Sequence, residues 1–163
     1  MILARYRIGL PSDGGDVIDQ LLVQRIAEPD GDLQELVEPL LADRAHYEGR
    51  LLERFQTFSG EQELAAIELL SCIGSDACVP LLLRLSHRAA TRVPAIHALL
   101  RTADTRTLTW LALREWNPDL REEITAALRA RGDEQAVAFV LATQGERSWS
   151  TLGSDSWQHA ESL

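Results

Sequence analysis

The sequence contains no lysine, because all 16 of its basic residues are arginine. Enzymes that form a Schiff base through lysine and nucleotide-binding P-loops both need that side chain, so both classes are excluded. We attribute the arginine bias to codon usage in a GC-rich bacterial genome. The bias therefore limits the possible chemistry without indicating a function.

Cysteine and long apolar runs are also scarce. Cys72 and Cys78 are the only two cysteines, and no second pair exists to complete a zinc site. We interpret both as small core residues of a reducing compartment. No apolar run reaches the roughly 18–20 residues that span a bilayer, and the first ten residues are too short and too arginine-rich for a signal peptide. These features predict a soluble, cytoplasmic protein.

The formal net charge is −9, and it is unevenly distributed. Residues 1–83 carry 15 acidic and 6 basic side chains, whereas residues 84–144 carry 7 acidic side chains and 9 arginines. Nucleic-acid binding depends on neutralising phosphates with basic residues, so the excess of acidic residues argues against a nucleic-acid partner.

Motifs for catalysis are missing as well. The histidines do not stand at metal-binding spacings, and there is no glycine-rich phosphate loop or nucleophile elbow. The acidic pairs Glu122–Glu123 and Asp133–Glu134 fall at predicted helix starts, where negative charge stabilises a helix. We therefore assign no catalytic residue, no metal and no cofactor.

An internal repeat with a period of 29 residues is the strongest pattern. Three segments begin at Ala66, Ala95 and Ile124. Matching positions share a residue type: Leu70, Leu99 and Leu128; Gly74, Ala103 and Gly132; Ser75, Asp104 and Asp133; Val79, Leu108 and Val137; Leu82, Leu111 and Val140. The apolar positions follow helical spacing, glycine suits the residue after a helix, and serine or aspartate suits the cap of the next. Each unit is thus predicted to be a helix, a tight corner and a second helix.

The tripeptide Arg131-Gly132-Asp133 falls in the corner positions of the third unit. An adhesion signal has to project from the protein, whereas these residues are expected to end one helix and begin the next. We interpret the tripeptide as an interhelical corner.

Residues of about 61–144 resemble HEAT-like repeats of the phycobilin-lyase type. The stretch Pro118–Leu141 carries that family's Ala-Leu and Gly-Asp elements, and Ile73–Leu83 carries its Val-Pro. The middle unit departs from the pattern, since Ala103 replaces glycine and Thr109 replaces proline. The resemblance implies an antiparallel helix-pair α-solenoid and is nearly silent on activity.

The flanks are less regular. Residues 1–60 contain three amphipathic stripes. If the 29-residue period is extended into this region, Leu41 aligns with Leu70, but Arg50 and Glu53 align with apolar positions. This region is either a set of divergent repeats or a separate helical cap. Residues 145–163 have no helical stripe, so we expect an irregular or disordered tail, or one that Trp149 and Trp157 hold against the helical array. The predicted fold is all-α.

Trp110, Arg114 and Trp116 form one group of candidate residues, in which Trp110 either packs in the core or contacts a partner. Trp110 and Arg114 are four residues apart, so they should stack on one helix face. In HEAT-like arrays, the second helix of each pair lines the concave surface, and this is where Trp110 falls. Trp116 is eight residues after Leu108 and is expected to pack in the core.

A second group, called the basic island, consists of Arg84, His87, Arg88 and Arg92. The first three would share a face if one helix ran through them, whereas a break at 86–90 would separate Arg92. The island either pairs with nearby acids, is simply solvated, or binds an anion or an acidic partner.

These features predict a non-enzymatic scaffold that holds a protein or peptide segment on the concave face of a short HEAT-like solenoid. The expected contact residues are Trp110, Arg114 and the basic island. One alternative is a HEAT-like enzyme or chaperone, such as a tetrapyrrole-attachment factor or a DNA glycosylase. Another is a structural module of a longer protein.

Overall fold

The computed structural model describes residues 14–145, and every regular element among them is helical, with no β-strand. The prediction of an all-α protein is confirmed. The α-helices in chain order are α1 (Gly14–Ala27), α2 (Leu33–Val37), α3 (Arg44–Arg54), α4 (Glu61–Ile73), α5 (Val79–Leu85), α6 (Arg92–Thr102), α7 (Thr105–Arg114), α8 (Pro118–Ala130) and α9, whose described part covers 134–145. Short 3₁₀ turns occupy Glu38–Asp43, Phe55–Thr57 and Asp76–Cys78.

The described helices belong to two compact units that divide in sequence between Thr102 and Ala103. Helices α1 to α6 belong to the first unit, and α7 to α9 belong to the second. The division falls at the corner of the middle repeat segment.

Helix α4 gives the first unit its core, because it contacts α1, α2, α3 and α6. Its apolar side chains point to several sides of the helix, which is typical of a helix packed on more than one face. The buried ones are Ala65, Ala66, Ile67, Leu69, Leu70 and Ile73. Each buried leucine or isoleucine contributes about 1.5–3 kcal/mol of transfer free energy, so α4 holds its neighbours by apolar contact.

The first amphipathic stripe forms α1, where Val17, Ile18 and Leu22 are buried. Helix α1 ends at Ala27, and Asp32 begins α2 by accepting the backbone N–H of Gln34 at 2.9 Å. The helical interpretation of these residues is confirmed.

The backward extension of the repeat is wrong at Leu41. Its side chain is 45 % exposed, whereas Leu70 is fully buried. Leu41 lies in the 3₁₀ turn Glu38–Asp43, which contains Pro39. A 3₁₀ turn has three residues per turn, so the spacing of an α-helix no longer decides which side chains face the core.

The tripeptide Arg131-Gly132-Asp133 forms the corner between α8 and α9. Gly132 has φ +77°, a conformation that favours glycine, and its N–H donates to the carbonyl of Arg129 at 3.0 Å. Asp133 caps α9 by accepting the N–H of Ala136 at 2.9 Å. The predicted corner is confirmed.

Gly74 occupies the same repeat position for a different reason. Its backbone has φ −66° and ψ 153°, which any residue can adopt. A Cβ atom here would lie 2.6 Å from Cys78 Sγ and even closer to the carbonyl oxygen of Leu70. This corner therefore needs glycine for space and not for a left-handed conformation.

The second unit is a small helical cluster with its own apolar core, and α7 packs against α8. Its core side chains are Leu108, Leu111, Ala112, Leu120, Ile124, Leu128, Val137 and Val140. Asn117 begins α8 by accepting the N–H groups of Asp119 and Leu120, and Pro118 follows at the first helical position, where no backbone donor is needed.

Candidate protein-binding groove

Helix α7 presents Trp110 and Arg114 to solvent because its other face is buried. Asp104 begins the helix by accepting a backbone N–H from its first turn at 2.8 Å. Leu108 and Leu111 then enter the core. With 3.6 residues per turn, this register leaves Trp110 and Arg114 on the outer face.

Arg114 stacks on Trp110. The guanidinium carbon lies 4.6 Å from the centre of the indole ring, and 39 % of the surface of Trp110 is exposed. A cation over an indole face is stabilised by about 0.5–1 kcal/mol at an exposed site. The predicted stacking of these two side chains is confirmed. The stack holds a positive charge over a flat ring in a defined orientation.

A wide, open groove of about 590 Å³ runs between α7 and α9 beside this pair. Phe139 of α9 lies in its wall and is 56 % exposed. It is the sixth residue of α9, as Trp110 is of α7, so the two rings occupy equivalent positions on their helices. The groove is lined by Thr105, Arg106, Thr109, Trp110, Leu113, Asp133, Gln135, Ala136 and Phe139.

The acidic side chains at the N-terminal ends of α7 and α9 serve as helix caps. Asp104 and Asp133 each accept a backbone N–H from the helix that they begin. Hydrogen bonds from Thr107 lower the pKa of Asp104, and the charges of Arg106 and Arg131 lower it further. The carboxylate thus stays ionised, and it interacts with its own helix.

The basic island does not form one helix face. Arg84 lies in the last turn of α5, His87 and Arg88 lie in the connection, and Arg92 begins α6. Arg88 pairs with Glu63, with Nη1 3.3 Å from Oε1. The interpretation that the island pairs with nearby acids is confirmed for Arg88.

The break in the island has a local cause. Pro94 has no N–H with which to continue a helix from α5 into α6, so α6 starts only at Arg92. The buried Thr91 closes the connection by donating its hydroxyl to the carbonyl of Leu85 at 2.8 Å. The four island residues therefore do not share one helix face.

Trp116 is not a core residue, contrary to the prediction. It is 80 % exposed. Helix α7 ends at Arg114, and Glu115 is extended with ψ 124°, so the helical count from Leu108 does not reach Trp116. The extended backbone leads directly to Asn117, which caps α8.

The two cysteines form no disulfide and differ in environment. Cys78 is fully buried, which raises the pKa of its thiol to about 11. Cys72 is half-buried, and its sulfur accepts hydrogen bonds from Arg101 and Gln34, each at 3.6 Å. The expectation of a core position holds for Cys78 and only in part for Cys72.

Residues 14–145 contain no group of three or more His, Cys, Asp or Glu side chains that could hold a metal ion. Within the same residues, no helix combines the length and the apolarity that crossing a membrane requires. The tail tryptophans, Trp149 and Trp157, and His159 lie outside the described residues.

Arg106 and Phe139 were not singled out from the sequence as contact residues, although both line the groove. A signal for each was present, because Arg106 precedes Trp110 by four residues and Phe139 follows it by 29. No protein-family profile, no curated protein and no solved structure matches the chain. The role of the groove therefore has to be inferred from its own residues.

Proposed function

We propose that this chain is a non-enzymatic, protein-binding scaffold whose contact surface is the groove between α7 and α9. The observation that carries the proposal is the stack of Arg114 on the exposed ring of Trp110, 4.6 Å away, beside a groove with Phe139 in its wall. Tryptophan, arginine and other aromatic residues supply much of the energy of protein interfaces. A pre-stacked pair also loses less side-chain freedom when a partner binds.

The scaffold, in this proposal, is a short HEAT-like solenoid of antiparallel helix pairs, and the groove belongs to its concave face. Support comes from the three segments 29 residues apart. Leu70, Leu99 and Leu128 share one repeat position, and all three are fully buried. The corners of the first and third segments are also alike in having a capping side chain, Ser75 or Asp133, directly after glycine.

The size and the openness of the groove favour a polypeptide partner over a small molecule. A small-molecule site usually encloses most of its ligand in an apolar cavity. Here the groove is open to solvent, and Trp110 and Phe139 in its lining are 39 % and 56 % exposed. Such a surface suits a segment that lies along two helices and covers both rings.

The test is affinity capture from the source organism with the full chain as bait, followed by affinity measurements with the purified partner. Trp110→Ala should weaken binding by about 2 kcal/mol or more, close to 30-fold, with helical circular dichroism unchanged. Trp116→Ala is the matched control, because it removes a tryptophan that is 80 % exposed and does not line the groove.

Equal affinity of the partner for wild type and Trp110→Ala would place the contact surface elsewhere and contradict the groove assignment. A larger loss for Trp116→Ala than for Trp110→Ala would do the same.

A further inference from the structure

We infer that the partner of this groove is an acidic peptide segment in which two carboxylates flank one apolar side chain. This inference rests on the proposed protein-binding role of the groove and adds the chemistry of the occupant. It starts from the register of α7, where Arg106, Trp110 and Arg114 follow one another at intervals of four residues.

These three side chains form a stripe on the solvent side of α7. All three are exposed. A spacing of eight residues corresponds to a rise of about 12 Å and a rotation of only about 80° between the first and the last. Along the helix, the stripe therefore carries an arginine, a tryptophan and an arginine in order, with the Arg114 guanidinium lying over the Trp110 ring.

The positive charge of α7 is the reason to expect carboxylates in the partner. Helix α7 contains two arginines and no acidic residue, although the whole chain has a net charge of −9. Within the described residues, Arg106 forms no salt bridge, and the contact made by the Arg114 guanidinium is with the Trp110 ring. Both guanidinium groups can therefore donate to a carboxylate of a partner, an anion that arginine binds in a planar, two-bond geometry.

The carboxylates already present at this end of the groove do not satisfy these arginines. Asp104 and Asp133 are held by backbone N–H groups of the helices that they cap. Asp104 does interact with the charge of Arg106, which lowers its pKa. We accordingly expect the carboxylate that pairs with Arg114 to contribute more than the one near Arg106.

The two aromatic rings in the groove are the reason to expect an apolar side chain in the partner. Trp110 on α7 and Phe139 on α9 line the same groove and are both partly exposed. A leucine or an aromatic side chain placed between them would cover both rings. It would sit midway along the stripe, so the two carboxylates would stand on either side of it.

The probe for the test is a fluorescein-labelled, alanine-based helical peptide with one central leucine and a glutamate four residues to each side of it. The two glutamates are thus eight residues apart, which repeats the rise of about 12 Å between the backbone positions of Arg106 and Arg114 on α7. Matched peptides carry glutamine or lysine in place of both glutamates. Binding to the full-length chain is followed by fluorescence anisotropy.

The glutamate peptide should bind about tenfold more tightly than the glutamine peptide, and the lysine peptide should bind most weakly. Arg114→Gln should reduce the preference for glutamate about fivefold, and Arg106→Gln should reduce it less. Arg129→Gln is the control, because it removes the same charge from an exposed position on α8 outside the groove lining. Trp110→Ala should weaken the glutamate and glutamine peptides alike.

Equal binding of the glutamate and glutamine peptides would overturn the inference. If Trp110→Ala still weakened them, the proposed function would stand. If Trp110→Ala had no effect on either peptide or on a captured protein, both would fail.

Three other occupants would also overturn the inference. A second copy of the chain would appear as a doubled mass in light scattering that Trp110→Ala abolishes. The chain's own tail would be the occupant if the double variant Trp149→Ala, Trp157→Ala bound the peptide and the wild type did not. A nucleic acid would be indicated if a single-stranded oligonucleotide displaced the peptide with strong salt dependence.

Discussion

Glu48 of α3 accepts hydrogen bonds from both the backbone N–H and the hydroxyl of Ser75, at 2.8 Å for each shortest contact. The carboxylate is only 4 % exposed. The Ser75 hydroxyl in turn accepts the N–H of Ala77 at 3.3 Å. A buried acid on one helix thus holds the corner that follows another, across 27 residues of sequence.

We expect Glu48→Ala to lower the free energy of unfolding by about 2–3 kcal/mol, because it removes the charge-assisted hydrogen bonds that this carboxylate accepts from the N–H and the hydroxyl of Ser75. Urea unfolding followed by circular dichroism measures the change. Glu53→Ala is the matched control on the same helix, since the Glu53 side chain is 70 % exposed. Equal losses in the two variants would show that Glu48 has no special role in the corner.

Glycine should be required more strictly at Gly74 than at Gly132. At Gly74, an alanine Cβ would overlap Cys78 Sγ and the Leu70 carbonyl, and overpacking of this kind costs about 1–3 kcal/mol. At Gly132, the space around a Cβ is open, and the cost comes only from φ +77°, which asparagine tolerates better than alanine.

Chemical denaturation of three variants tests this difference. Gly74→Ala and Gly74→Asn should both be destabilised, whereas Gly132→Asn should retain most of the stability that Gly132→Ala loses. Rescue of Gly74 by asparagine would mean that backbone conformation, and not space, selects glycine there.

The sequence predicted the corners well, because the residues that make them act locally. Asp133 caps the helix that it begins, and Gly132 adopts the conformation that ends the preceding one. The sequence-based prediction failed where α-helical spacing was extended beyond the end of a helix. Leu41 lies in a 3₁₀ turn, and Trp116 follows the extended Glu115, so neither occupies the position that α-helical spacing assigns.

The candidate site was predictable only in part for a related reason. The stack of Arg114 on Trp110 depends on one helix, so its spacing was enough to predict it. The groove depends on two helices, because Phe139 lies on α9 while Trp110 lies on α7. Equally, the contact between Glu48 and Ser75 joins distant segments, and no local pattern marks such a pair.

Leu70 and Leu41 provide a direct test of the corrected register. Leu70→Ala should cost about 2–5 kcal/mol of unfolding free energy, because it removes a fully buried side chain and leaves a cavity beside α4. Leu41→Ala should cost well under half as much, since 45 % of its surface is already exposed. Thermal unfolding and urea unfolding both report the difference. Similar losses would restore Leu41 to the core position that the repeat assigns.

The two thiols should react at very different rates with a thiol-specific reagent at neutral pH. Cys72 is half-buried, whereas Cys78 is fully buried and its pKa is raised to about 11, so its reactive thiolate is scarce. We expect one thiol to be labelled in the native protein and the second only after unfolding. Cys72→Ser should abolish the first reaction. Fast labelling of that variant would mean that Cys78 is accessible.

The raised pKa of Cys78 also predicts a loss of stability at high pH. Burial disfavours the thiolate, so the folded state keeps its proton up to about pH 11, whereas the ordinary value is 9.0. Between these values the unfolded chain binds fewer protons, so the contribution is fully present below pH 9 and is lost as the pH rises through 11. Urea unfolding at intervals from pH 8 to pH 11 should show this loss in wild type. The loss should be smaller in Cys78→Ala, which has nothing to titrate at that position, and an unchanged loss there would assign the effect to another group.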